Sequence, residues 1–174
     1  MKLWILLCSD LAMRSGTAER VSPFQYDAEQ RILRFTTKRN AHLTLPVTQE
    51  IAELLAECDP HSKNSFVRQL WAKDENPQKK HARAENKGAD RLRVKFREHC
   101  IEHGITRRLI PHDLRRTAAV AMLELTRDIR DVQALLGHRS LQSTIWYLDH
   151  DLRPINRDNL EALTHPAWRK EHTA

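Results

Sequence analysis
Residues 111–148 read PHDLRRTAAVAMLELTRDIRDVQALLGHRSLQSTIWYL, and this stretch carries the boundaries of three consecutive helices. Pro111 suits the first turn of a helix, where its missing N–H leaves nothing unpaired, and Asp113 suits the positive N-terminal end. That helix is expected to run to about Leu125. Asp128 is placed to cap a second helix, with Asp131 three residues on. Ile129, Val132, Leu135 and Leu136 form its buried stripe, and Gly137 ends it as the residue type that most readily turns left-handed. Ser140 can cap a third helix through about Leu148. Three short helices joined by tight turns set the expected character of the chain.

Upstream, Asp90 to His103 reads as a basic amphipathic helix with Leu92, Phe96 and Cys100 inward. Residues 59–88 are rich in Lys, Asn and Pro and read as a loop with a brief ordered piece near Phe66 and Val67. Val47 to Cys58 reads as a short helix, with Ile51, Leu54 and Leu55 inward. Residues 31–37 and 41–46 read as two strands around Lys38-Arg39-Asn40, and Phe24 to Asp27 as a third strand before them. Residues 2–20 read as one helix with Leu3, Leu6, Leu7 and Leu11 on its apolar face, broken by Ser22-Pro23. Downstream, the tail from Asp151 holds Leu160, Leu163 and Trp168 and reads as one last helix. The expected fold class is mostly α with a small antiparallel β-sheet near the N-terminus (α+β).

At 174 residues the chain can bury a real core in one domain, with or without a tail. No apolar run approaches the ~18–20 residues that span a bilayer. The short apolar start, Leu3 to Cys8, lacks a small-residue cleavage site and is read as a buried helix rather than a signal peptide. Four glycines and no repeat exclude collagen-like chains and solenoids. The net charge is +6, and residues 62–97 alone hold eleven Lys/Arg against four acids. The rest of the chain therefore sums to −1, so the excess is concentrated as a footprint for a polyanion would be. Cys8, Cys58 and Cys100 are widely spaced and form no CxxC pair, which reads as reduced, partly buried thiols in a cytoplasmic protein. His99 and His103 stand four apart beside Cys100, Glu98 and Glu102, but the HExxH order is absent and a solvated helix face is expected there. No phosphate loop of the GxxxxGK[ST] type occurs, so nucleotide-driven chemistry has no support.

His112 and Arg115 lie three apart, on one face of the expected helix, and can reach the same anion. Leu135-Leu136-Gly137-His138 places a second histidine just after a helix stop, and Tyr147 follows nine residues later. A phenolic oxygen can serve as a nucleophile. HDLRRT at 112–117, DIRDVQALLGH at 128–138 and STIWYLDH at 143–150 together resemble the tyrosine recombinases, or phage-type integrases. The HxxR motif, the histidine of LGH 23 residues after that arginine and the tyrosine nine residues further on all fall at the family's spacing. Arg14, in Met13-Arg14-Ser15-Gly16, matches the family's upstream arginine, although Thr17 stands where glutamate is usual. Lys38 matches the hairpin lysine, with Arg39 beside it as competitor.

The resemblance covers roughly residues 5–150 and implies a catalytic domain over 1–150. It would lack the usual N-terminal DNA-clamping domain and the first catalytic-domain helix. The tail at 151–174 would either link subunits or fold on its own core. The implied chemistry is DNA strand cleavage by Tyr147 through a 3′-phosphotyrosine, with release of a 5′-hydroxyl and rejoining by another. Arg14 and Arg115 would hold non-bridging oxygens and His138 would donate to the same phosphate. His112 would act on the tyrosine proton, and Lys38 would protonate the leaving oxygen. No metal and no cofactor are implied. The implied partner is double-stranded DNA, bound by a homo-oligomer (a tetramer) that can be a monomer without DNA, and no membrane is involved. Two other readings stand beside this one: a truncated, inactive DNA-binding remnant, and a helix-turn-helix regulator built on residues 113–136. The second gives no reason for the position of Tyr147.

Overall fold
A computed structural model describes residues 1–37, 42–74 and 88–148. The elements in chain order are α1 (Lys2–Ser9), α2 (Ser15–Arg20), a 3-10 turn (Pro23–Gln25), β1 (Tyr26–Asp27), β2 (Ile32–Thr36), β3 (His42–Pro46), α3 (Gln49–Ala56), α4 (Phe66–Asp74), α5 (Gly88–Glu102), α6 (Pro111–Thr126), α7 (Ile129–Leu136) and α8 (Leu141–Leu148). The mostly helical α+β expectation holds. No described helix is long and apolar enough to cross a membrane.

The strands form an antiparallel meander in the order β1-β2-β3. Leu33 faces Leu45 and Phe35 faces Leu43 across the β2–β3 pair. Leu33 and Phe35 are buried, while Arg34 and Thr36, which alternate with them, are exposed, the alternation of a sheet with one covered face. The third strand is shorter than the expected Phe24–Asp27. Pro23 opens a 3-10 turn that takes in Phe24, whose ring is exposed, and only Tyr26 and Asp27 pair with β2.

One further expectation is corrected and another is extended. Residues 2–20 are not one helix: α1 stops at Ser9, Ala12 adopts a left-handed φ of 48°, and α2 starts at Ser15. The break is tertiary in origin. Leu11, Ala12 and Met13 are all buried, the Met13 N–H turns back to the Leu7 carbonyl at 3.0 Å, and the Ala12 carbonyl accepts from Arg115. Trp4 Nε1 donates to the Ser15 carbonyl at 3.2 Å and ties the two helices together. The brief ordered piece expected near Phe66 and Val67 is present and extends further than read, to Asp74. Phe66 and Val67 are buried and begin α4, which is anchored by the Phe66 N–H to the Val21 carbonyl at 2.9 Å. Residues 38–41, with Lys38, and residues 75–87 lie outside the described residues, as does the tail from 149 onward.

The core has two parts. One gathers Trp4, Leu7, Leu33, Ile51, Phe66 and Phe96 around α1, the sheet, α3, α4 and α5, with Trp4 edge-on to Phe96 at 5.6 Å between ring centres. The other is the α6–α7–α8 layer, with Ala118, Ala119, Val132, Leu136 and Leu148, and Ala12 reaches into it from the break between α1 and α2. The predicted stripe of α7 is buried as expected, apart from Ile129, which is half-covered.

Candidate nucleic-acid cleavage site
The local signals at the helix ends act as read. The Ile110 N–H donates to Asp113 Oδ2 at 2.8 Å, closing the first turn of α6 around Pro111. The Arg130 N–H donates to Asp128 Oδ1 at 2.8 Å and starts α7. Gly137 ends α7 at φ 63°, and a Cβ there would lie 2.8 Å from Leu43 Cδ1 of β3. Both the backbone angle and the close strand require glycine. The start of α7 at Asp128 and its stop at Gly137 bring α8 back along α6, so that Tyr147 packs beside His112 in the first turn of α6.

The Tyr147 ring stands edge-on to His112, with ring centres 5.2 Å apart at 82°, and edge-on to His138, at 5.8 Å and 77°. Arg115 Cζ is 6.0 Å from the Tyr147 ring centre. Arg115 is 3% exposed. Its Nη1 donates to the Ala12 carbonyl and its Nη2 to the Leu136 carbonyl, the latter at 2.9 Å. The guanidinium thus clips the α1–α2 break and the end of α7 to α6. Its Nε and the Tyr147 hydroxyl are buried without a hydrogen-bond partner of regular geometry. His138 Nδ1 lies 3.1 Å from Oγ1 of the fully buried Thr144. A hydroxyl donated to Nδ1 would leave Nε2–H as the outward donor of that ring.

Arg14 sits at the N-cap of α2, where the break in the N-terminal helix places it. With Arg93, Arg108, His112 and Arg115 it lines a pocket of about 480 Å³. No carboxylate stands among the described lining residues. An adjoining pocket is lined by Arg107, Arg108 and Arg116, with Asp113 the nearer of its two acids to the α6 N-terminus.

This concentration of cations acts on Tyr147, Arg115 and His112. Burial pushes the Tyr147 phenol above its usual 10, against the pull of Arg115, Arg116 and Arg14. Burial first, and the repulsion of Arg14 second, bring Arg115 down to about 10. His112 falls below its ordinary 6.5 through burial, then through Arg115 and Arg14, and so stands neutral near pH 7. An anion entering the pocket relieves the repulsion and loses little to competing carboxylates.

The structure therefore brings together Arg14, His112, Arg115, His138 and Tyr147 of the six residues the sequence singled out. Lys38 lies outside the described residues. Three neighbours were missed. Arg93 lay unremarked within the basic stretch. Arg108 carried a faint signal, since Arg107-Arg108 directly precede the helix that bears His112. Thr144 becomes visible only once the first turn of α8 is seen to face His138.

Residues 1–153 match the phage integrase family. Tyrosine recombinase XerC 1 of Ralstonia nicotianae is 30% identical over 150 residues, which is 83% of this chain and 44% of that one. Tyrosine recombinase XerC of Chlamydia caviae is 25% identical over 158 residues, 88% of this chain and 48% of that one. The chain thus spans about half the length of these relatives. Among solved structures, XerH site-specific recombinase bound to its difH substrate matches with a TM-score of 0.64 at 19% identity, over 95% of this chain and 46% of that one. The catalytic domain of bacteriophage HP1 integrase matches at 0.59 and 18% identity, over 93% and 79% respectively.

Proposed function
Because the chain belongs to the phage integrase family, we propose that it is the catalytic part of a site-specific DNA recombinase that cuts and rejoins strands through a phosphotyrosine at Tyr147. The observation that carries this reading is the Tyr147 phenol held between His112 and His138 beside Arg115, next to a pocket that Arg14 shares. In the proposed reaction the Tyr147 oxygen attacks phosphorus and the bond to the 5′-oxygen breaks. The phenolic proton passes to neutral His112, directly or through water, and the leaving oxygen takes a proton from Lys38. A 5′-hydroxyl from another strand then attacks the phosphotyrosine and restores both the DNA backbone and the free phenol. The bond energy is kept in the covalent link, so this scheme uses no nucleotide.

The charge on the five-coordinate phosphorus is the main barrier, and preorganised donors lower it by ~3–4 kcal/mol each. Arg14 supplies a planar fork to the non-bridging oxygens. Arg115 gives two donors to backbone carbonyls and keeps the rest for the phosphate. His138 donates to the same phosphate. Arg93 and Arg108 hold phosphates of the same strand, which positions the duplex without reading its bases. The proposed partner is double-stranded DNA bound by a homotetramer.

The test is covalent trapping. Wild-type protein and Tyr147→Phe are incubated with nicked suicide duplexes from the surrounding genome and resolved on a denaturing gel. The expected result is a protein–DNA adduct with wild type alone. An adduct that persists in Tyr147→Phe would overturn the assignment of the nucleophile. Shifted DNA on a native gel without any adduct would favour the inactive remnant instead. Arg108→Ala should weaken DNA binding and lower the salt slope by about 1.

A further inference from the structure
The end of α5 carries His99 and Glu102, and His103 follows it directly, so the three stand at positions i, i+3 and i+4. We propose that these three residues form a binding site for a divalent transition-metal ion of the zinc class. The site lies outside the Tyr147 cluster and does not depend on the proposed recombination.

One ligand atom from each residue falls within 4.8 Å of the other two. The His99 and His103 rings lie 4.2 Å apart, tilted by 45°. His103 Nδ1 lies 2.9 Å from the His99 carbonyl, which can only accept, so Nδ1 carries the proton and Nε2 offers its lone pair. A backbone carbonyl that fixes the tautomer of a histidine in this way is the usual support of a metal ligand. Two imidazoles and a carboxylate suit zinc and leave a fourth position open.

The surroundings agree. The negative C-terminal end of the helix dipole favours a bound cation. The turn itself is fixed: the Gly104 N–H reaches the Ile101 carbonyl at 3.0 Å and the Ile105 N–H reaches the Cys100 carbonyl at 2.8 Å. Cys100 lies between the ligands in sequence, yet it is 2% exposed and packs in the core, so it is no member of the set.

The ion would act as a brace. The chain leaves α5 here for the segment that bears Arg107 and Arg108, and Arg97 already grips that segment through the Arg107 carbonyl at 2.9 Å and the Thr106 carbonyl at 3.2 Å. A metal clipped across the last turn fixes the same departure point from its other side.

The experiment is calorimetric titration of the untagged full chain with zinc chloride, alongside thermal unfolding with and without zinc. Wild type should take up one equivalent at this site, and its melting temperature should rise as zinc is added. His99→Ala and His103→Ala should each weaken that binding at least tenfold and abolish the rise, and Glu102→Gln should weaken it less. His61→Ala, an exposed histidine elsewhere, should behave as wild type. Glu102 and His103 are exposed, so their variants should keep the fold, which far-UV circular dichroism reports. A wild-type chain that takes up no zinc would overturn the proposal, as would His99→Ala and His103→Ala variants that bind it as tightly as wild type.

Discussion
Gly137→Ala tests how the sheet and the α7 stop depend on each other. The backbone at Gly137 has φ 63°, where a Cβ costs about 1 kcal/mol or somewhat more. The added methyl would also lie 2.8 Å from Leu43 Cδ1 and 3.1 Å from both Cδ2 and Cγ. All three contacts belong to one branched, half-buried side chain, so no single methyl rotation clears them. Driving Leu43 off its rotamer costs about 1 kcal/mol more. Together these give a loss of about 2–3 kcal/mol, a large part of the ~5–15 kcal/mol that holds a domain folded. Urea unfolding reads this as a midpoint lower by about 1 M at an unchanged slope. Leu43→Ala separates the two parts. It removes the clash, so it should cost about 1 kcal/mol less in the Gly137→Ala background than in wild type. A loss below about 0.5 kcal/mol, or a Leu43→Ala cost that is equal in both backgrounds, would refute the reasoning. His138 follows Gly137 directly, so the single variant should also lose most adduct formation, and the double variant should recover part of it.

Three more outcomes are expected. Arg115→Ala strands the Ala12 and Leu136 carbonyls in the interior and should cost on the order of 3 kcal/mol, whereas Tyr147→Phe removes a buried hydroxyl without a regular partner and should change stability by less than about 0.5 kcal/mol. Equal losses in paired melting curves would contradict that contrast. Folded His112 titrates below 6.5, so the unfolded chain binds more protons in the window just under that value and stability falls as pH drops through it; His112→Asn should flatten this part of the stability profile, and an unaltered profile would remove His112 as its cause. Cys8 is fully buried and its thiol is pushed up to about 12 by burial, so alkylation at pH 8 should reach it only in denaturant. Rapid labelling of the native protein would mean that α1 opens.

The legible part of the chain is the part whose boundaries are set locally. Asp113, Asp128 and Gly137 fix helix ends through neighbours within a few residues, and α6, α7 and α8 lie where those residues put them. The break at residues 10–14 has no such signal, because Leu11, Ala12 and Met13 continue the apolar pattern of α1. What stops the helix is a guanidinium far along the chain. α4 was legible only at its start, for the converse reason: its polar flanks read as loop around Phe66 and Val67, while its order comes from burying those two residues against α2 and the sheet. At the candidate site the histidine, arginine and tyrosine motifs could be read from spacing, and the structure brings their side chains together. Arg93, Arg108 and Thr144 could not, since they join the site through contacts between elements rather than through position in a motif.

The bond from Arg115 to the Ala12 carbonyl joins residues 103 positions apart. The pocket that holds Arg14 and Arg115 therefore has no existence in a partly folded chain. The Ala12 carbonyl has no guanidinium to hold it until α6 is in place, and a molecule in which α1 detaches loses the alignment of its arginines. For a protein proposed to break chromosomes this works as an interlock. On the proposed function, cutting would be confined to molecules in which this contact has formed, and nascent, frayed or proteolytically clipped copies would be disarmed without any inhibitor.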